Sequence, residues 1–195
     1  MIKLTNWRKA LGIAAAMVFL AAAAGCGGEK EAIYPLSVDG TEITLDQTTM
    51  QTIYDAGFEV SVMDTSAGSV QWYEIEADMP LDADSVYTDI YIGKGGEPYA
   101  SVSVVTGEAC AVRDGVVYFL KSEEGGLDKI AIASVPLTEL TGEKALEIEP
   151  KLESNEYYQS CVTDSRILRI TRENGAAGAV TKLEVEVRYD IDYTK

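Results

Sequence analysis

Near its end this chain runs Lys182-Leu183-Glu184-Val185-Glu186-Val187-Arg188-Tyr189, with charged and apolar residues in strict alternation. A period of two places Leu183, Val185, Val187 and Tyr189 on one face of a strand, whereas a helix would scatter them around its axis. Such a strand has one wet face and needs neighbours that share its buried side. Turn signals supply them. Leu36-Ser37-Val38, then Asp39-Gly40, then residues 41–45 predict a hairpin, because Asp-Gly accepts the positive φ values of a two-residue turn. Asp114-Gly115 gives the same expectation between residues 109–113 and 116–121, and Lys94-Gly95-Gly96 does so between 87–92 and 99–105. Residues 167–171 are expected to pair with the terminal strand across Asn174-Gly175. Short turns and one-sided burial call for antiparallel pairing.

Helical signals are few. Thr48-Thr49-Met50-Gln51 reads as a capping box, Met50, Ile53 and Tyr54 share one helical face, and Gly57 followed by Phe58 is a stop in the left-handed conformation. A weaker helical stretch covers residues 136–152 and must end or break at Pro150. The expected class is α+β: a mainly antiparallel β-sheet built of hairpins with one or two short helices. Residues 33–195 are enough for one globular domain with its own core.

The first 25 residues have another character. Lys3, Arg8 and Lys9 precede an apolar or small-residue run from 11 to 24, too short for the ~20 residues that a spanning helix needs. The run ends Ala23-Ala24-Gly25-Cys26, which resembles the lipobox of bacterial lipoproteins, with Ala23 where that family more often has Leu. The resemblance implies cleavage of residues 1–25 as a signal peptide, acylation of Cys26, and a lipidated tether over 26–32. The implied address is the outer face of the plasma membrane, or the outer membrane of a Gram-negative cell. Loss of Lys3, Arg8 and Lys9 takes the formal net charge from −16 to −19. Phosphate backbones and anionic lipid surfaces would repel such a domain, so nucleic acid is not an expected partner and the acyl chains are the expected hold on the membrane.

Val38-Asp39-Gly40, Ile43-Thr44-Leu45, Thr48 and Ile53-Tyr54-Asp55-Ala56-Gly57-Phe58 together look like the opening of many uncharacterised lipoproteins of Gram-positive gut-type bacteria. The resemblance implies a short hairpin leading into a helix, and no activity or functional residue comes with it.

With Cys26 set apart, Cys110 and Cys161 remain as an even pair. In an oxidising compartment they are either bridged, closing a loop of about 50 residues, or kept as two separate buried thiols. The absence of histidine removes Ser-His-Asp and Cys-His catalysis and His-ligated zinc. A carboxylate pair, a Ser-Lys dyad and an all-oxygen metal site remain chemically open, but no spacing marks one. Asp82-x-Asp84 starts like a calcium loop, yet Val86, Tyr87 and Gly93 stand where further ligands and a glycine belong. No cofactor or metal is expected.

The chain has 11 tyrosines against three Phe and two Trp, which singles out phenol-bearing strand faces. Strict alternation puts Tyr87, Asp89 and Tyr91 on one face, with Val86, Thr88, Ile90 and Ile92 on the other. That polar-aromatic face is either a binding platform or ordinary packing with hydroxyls at the water boundary. The functional expectation is a non-catalytic envelope module that binds a protein, a wall polymer or a small ligand. The alternative is a His-free, carboxylate-dependent hydrolase acting on envelope polymers.

Overall fold

A computed structural model describes residues 34–66, 68–175 and 177–188, and Ala32–Lys195 forms one compact unit. The expected signal segment, Cys26, the expected tether and Tyr189 lie outside the described residues. In chain order the elements are β1 (Leu36–Val38), β2 (Thr41–Ile43), α1 (Met50–Asp55), β3 (Glu59–Asp64), β4 (Gln71–Glu74), β5 (Pro80–Leu81), β6 (Ser85–Lys94) and β7 (Glu97–Thr106). Then come β8 (Cys110–Ala111), β9 (Val116–Ser122), β10 (Ile130–Ile132), β11 (Val135–Pro136), α2 (Gly142–Ile148), β12 (Glu153–Ser154), β13 (Tyr158–Val162), β14 (Arg166–Arg172) and β15 (Val180–Val187). The protein is mostly antiparallel β-sheet. A nine-stranded sheet has the order β12-β13-β14-β15-β9-β7-β6-β3-β4, a four-stranded sheet the order β11-β10-β1-β2, and β5 pairs with β8.

One core fills the inward faces. Leu36, Val38, Ile43, Ile130 and Ile132 of the small sheet join Ile92, Val102, Leu120, Leu168 and Leu183 of the large one. The alternation of β15 places Leu183 and Val185 in that core, while Lys182 and Glu184 form a 3.3 Å ion pair on the other face. β1 and β2 turn at Asp39 (φ 46°) and Gly40 (φ 78°), and β6 and β7 at Gly95 (φ 66°) and Gly96 (φ 80°). These are the left-handed values that the sequence signals require.

The stop of α1 forms as its residues dictate. Gly57 N–H donates to the Tyr54 carbonyl and Phe58 N–H to Ile53, with Gly57 at φ 75° and Phe58 buried. Its start does not. Thr49 is the N-cap without a side-chain bond, because the Thr48 hydroxyl instead accepts from Thr44 N–H and the Gln51 amide donates to Asp55. In α2 the Thr141 hydroxyl accepts from Lys144 N–H at 3.2 Å, and the helix stops before Pro150.

Asp114-Gly115 makes no hairpin. Val112–Asp114 is a 3-10 turn, Gly115 has φ −65°, and the flanking strands diverge, β8 to β5 and β9 to β7 and β15. Gly115 serves space rather than φ, since a Cβ there would meet the Val104 side chain.

Cys110 and Cys161 are not joined in the structure. The Cys161 side chain packs in the core from β13 of the large sheet, whereas Cys110 lies in β8, which pairs with β5 outside that sheet. Cys110 is the more accessible of the two. Alkylation of the native protein is therefore expected to modify Cys110 well before Cys161, with both reacting after denaturation. A Cys110–Cys161 cross-linked peptide in unreduced protein would refute this arrangement.

A buried polar cluster ties the beginning of the described chain to its C-terminal half. The Tyr34 hydroxyl donates to Glu149 Oε2 at 2.5 Å, Arg166 Nη2 donates to the same oxygen at 2.7 Å, and Lys151 N–H donates to Glu149 Oε1 at 2.8 Å. The Arg166 guanidinium also lies over the Tyr34 ring, 4.5 Å from its centroid. Burial, then the neighbouring Glu149, push the Tyr34 hydroxyl well above its usual pKa.

Candidate functional site

The outward face of the large sheet follows from its register. One row runs from Tyr91 through Ser101, Lys121, Glu184 and Arg169 to Ser160. Its middle is a ladder of charges: Arg169 and Lys182 each meet Glu184 at 3.3 Å, and Lys121 meets Glu123 at 3.1 Å. Burial alone would lower the Lys121 pKa, but the bond and charge of Glu123 more than reverse it, so the ammonium is held on. Farther along, Arg169 lies 5.3 Å from the Tyr158 ring centroid.

At the other end the row opens into a cleft of about 460 Å³. Its position is set by side-chain size. Ser61 of β3 faces Tyr91 and Glu74, and Gly93 of β6 faces Glu59, so two small residues form a floor among large ones. Gly93 cannot carry a Cβ, which would strike the Glu97 carbonyl. Trp72 and Tyr91 make the aromatic wall, edge to face with ring centroids 4.9 Å apart. Trp72 is 48 % exposed, a large apolar surface left in water. Burial, then the charge of Glu123, push the Tyr91 hydroxyl above its ordinary pKa.

Glu59, Glu74 and Glu97 are among the residues lining the same cleft, and no Lys or Arg is among its described lining residues. Glu59 is committed to the turn: its two oxygens accept from Gly95 N–H at 2.9 Å and Gly96 N–H at 2.8 Å. Glu74 is exposed on the rim, and Glu97 is exposed where β7 leaves the turn, opposite Lys94 in register. Lys94 belongs to the opposite face, paired with Asp39 at 2.8 Å and placed 4.6 Å from the Phe58 ring centroid.

The structure breaks up the Tyr87–Asp89–Tyr91 platform. Tyr87 pairs with Val104 and Ile90 with Val102, so three steps on β6 oppose two on β7. The extra residue is absorbed where Asp89 adopts φ 56°. The bulge puts Tyr87 on the same side as Ile90, packed against the core, with its hydroxyl accepting from Asp82 N–H at 2.7 Å. Asp89 is exposed and Tyr91 alone reaches the cleft. Sequence reasoning missed Trp72 and its carboxylate neighbours. The alternation of Gln71-Trp72-Tyr73-Glu74, which carries a tryptophan and an acid in phase, was the available signal.

No family model, curated protein or solved structure matches this chain. The functional reading therefore rests on the cleft itself. Among the described residues, no group of three His, Cys, Asp or Glu is placed to hold a metal ion, and no helix is long and apolar enough to cross a membrane.

Proposed function

We propose that the protein is an exported lipoprotein, anchored by acylated Cys26 to the outer face of the plasma membrane, whose α+β domain is a non-catalytic binding module of the cell envelope. The observation that carries the binding role is the open cleft walled by half-exposed Trp72 and rimmed by Glu74. An aromatic surface beside carboxylates favours ligands with cationic or hydroxyl-rich groups. Cleavage at Cys26 would leave Trp72 as the mature chain's tryptophan, since the other is Trp7.

Fluorescence of the processed protein would then report on the cleft directly. Solubilised envelope components are expected to shift that emission. Trp72→Ala is expected to weaken their retention by roughly tenfold or more while changing stability by less than about 1 kcal/mol, as befits an exposed site. Cys26→Ser is expected to move the protein from the membrane fraction to the medium. An unshifted emission together with unchanged retention of Trp72→Ala would overturn the binding role, and a membrane-bound Cys26→Ser protein would overturn the anchor.

A further inference from the structure

The large sheet ends at β4, and the hydrogen-bonding phase of that strand decides what its open side offers. Ile75 N–H donates to the Val60 carbonyl at 2.9 Å. Opposed residues of an antiparallel pair exchange bonds at every second position. In the β3–β4 register the bonded pairs are therefore Val62 with Tyr73 and Asp64 with Gln71. The main-chain N–H and C=O groups of Trp72 and Glu74 consequently point away from β3, toward the open edge.

The same two residues direct their side chains to the cleft. Trp72 and Glu74 thus combine strand groups that are unpaired among the described residues with an aromatic and an anionic side chain on one face. Exposed edges are ordinarily blunted by Lys, Pro or a covering segment. Gln71–Glu74 contains neither residue, and all four of its residues are exposed. Tyr73, on the opposite face of the strand, is 50 % exposed.

Charge selects the occupant. Glu59 and Glu74 make the cleft anionic, with no cation among its described lining residues, and the chain as a whole carries −16. We propose that an extended, basic segment of a partner protein adds to β4 as a further antiparallel or parallel strand, resting on the reading of the cleft as a binding site. Strand addition supplies main-chain bonds from Trp72 and Glu74, and pockets for alternate side chains supply selectivity. Every second side chain of the segment falls on the cleft face, where a Lys or Arg meets the Trp72 ring and the Glu74 carboxylate. The intervening side chains lie beside Tyr73. A second copy of this chain is a poor occupant, because its own β4 brings like charge to like charge.

The test uses the intact protein and three synthetic peptides of equal length: alternating lysine and threonine, alternating glutamate and threonine, and the lysine peptide with alternate backbone nitrogens methylated. Only the unmethylated lysine peptide is expected to bind, read by titration calorimetry. Trp72→Ala and Glu74→Lys are each expected to weaken it by about tenfold, with circular dichroism and melting unchanged because both sites are exposed. Binding of the methylated lysine peptide equal to that of the unmethylated one would overturn strand addition while leaving a cation-binding cleft. Equal binding of the glutamate peptide would overturn the basic partner. Self-association lost in Glu74→Lys would overturn it in favour of a second copy. Loss of envelope binding in Trp72→Ala, with no affinity for the lysine peptide, would retain the cleft and discard this occupant.

Discussion

Glu149→Ala is expected to destabilise the fold by about 3–5 kcal/mol, read as a lower urea midpoint with an unchanged slope. Glu149 is 3 % exposed and Arg166 8 %. Removing the carboxylate takes away the acceptor that Tyr34 and Arg166 share and the acceptor of Lys151 N–H. It also takes from the buried Arg166 guanidinium the carboxylate that Nη2 bonds, and breaking that buried ion pair dominates the cost. Glu149→Gln keeps an acceptor for Tyr34 and for the backbone, so it should cost less than alanine while still losing the charge pairing.

The same residue sets a pH dependence. Burial by itself would raise the Glu149 carboxyl pKa, but the Tyr34 hydroxyl, the Lys151 N–H and the charges of Arg166 and Lys151 outweigh it and hold the group below its usual 4.5. A folded pKa below the unfolded one stabilises the native state at all pH values above the unfolded pKa. The contribution fades as pH falls from there through the folded value. Glu149 therefore adds a steady contribution at neutral pH that is lost in acid below about 4.5. Urea midpoints measured across that window should fall less steeply for Glu149→Gln than for the parent chain.

Gly126→Ala is expected to cost about 3 kcal/mol, in contrast to its neighbour Gly125. A Cβ on Gly126 would collide with the carbonyl oxygen, carbonyl carbon and Cα of Tyr99, all backbone of β7. That main chain cannot step aside without straining the bond that the Tyr99 carbonyl accepts from Glu123 N–H at 2.9 Å. The atoms nearest a Cβ on Gly125 are those of the exposed Glu97 side chain, which can swing into water. Gly125→Ala should accordingly lie within about 1 kcal/mol of the parent. Equal costs for the two substitutions would mean that β7 and the 124–126 turn are not packed as described.

These contrasts indicate which parts of the fold its sequence announces. Local signals were legible wherever the residue's own backbone preference decides the geometry: Asp39-Gly40, Gly95-Gly96, Gly57 with Phe58, and the alternation of β15. Asp114-Gly115 looked identical to a turn signal, but there the demand on glycine is room beside Val104, a tertiary fact that no window around residue 115 contains. The capping box at Thr48 failed similarly, because the Thr44 N–H competes for the Thr48 hydroxyl. The cleft was illegible for a related reason. Trp72, Ser61, Tyr91 and Gly93 are neighbours only through two strand registers, and their value lies in contrast of size across strands.

The bulge at Thr88–Asp89 makes β6 a strand of two parities. Before it the odd-numbered Tyr87 faces the core, and after it the even-numbered Ile90 and Ile92 do. One surplus residue thus acts as a clutch between two stretches of a single strand. The first stretch anchors the Asp82 loop through the Tyr87 hydroxyl, and the second presents Tyr91 to the cleft. Deleting that residue would re-engage the two: either Tyr87 would be expelled to the solvent side, or Tyr91 would be drawn inward. Lengthening or shortening elsewhere in the 76–84 connection leaves the phase of the cleft untouched, so this surface is insulated from changes at the end of the strand that precedes it.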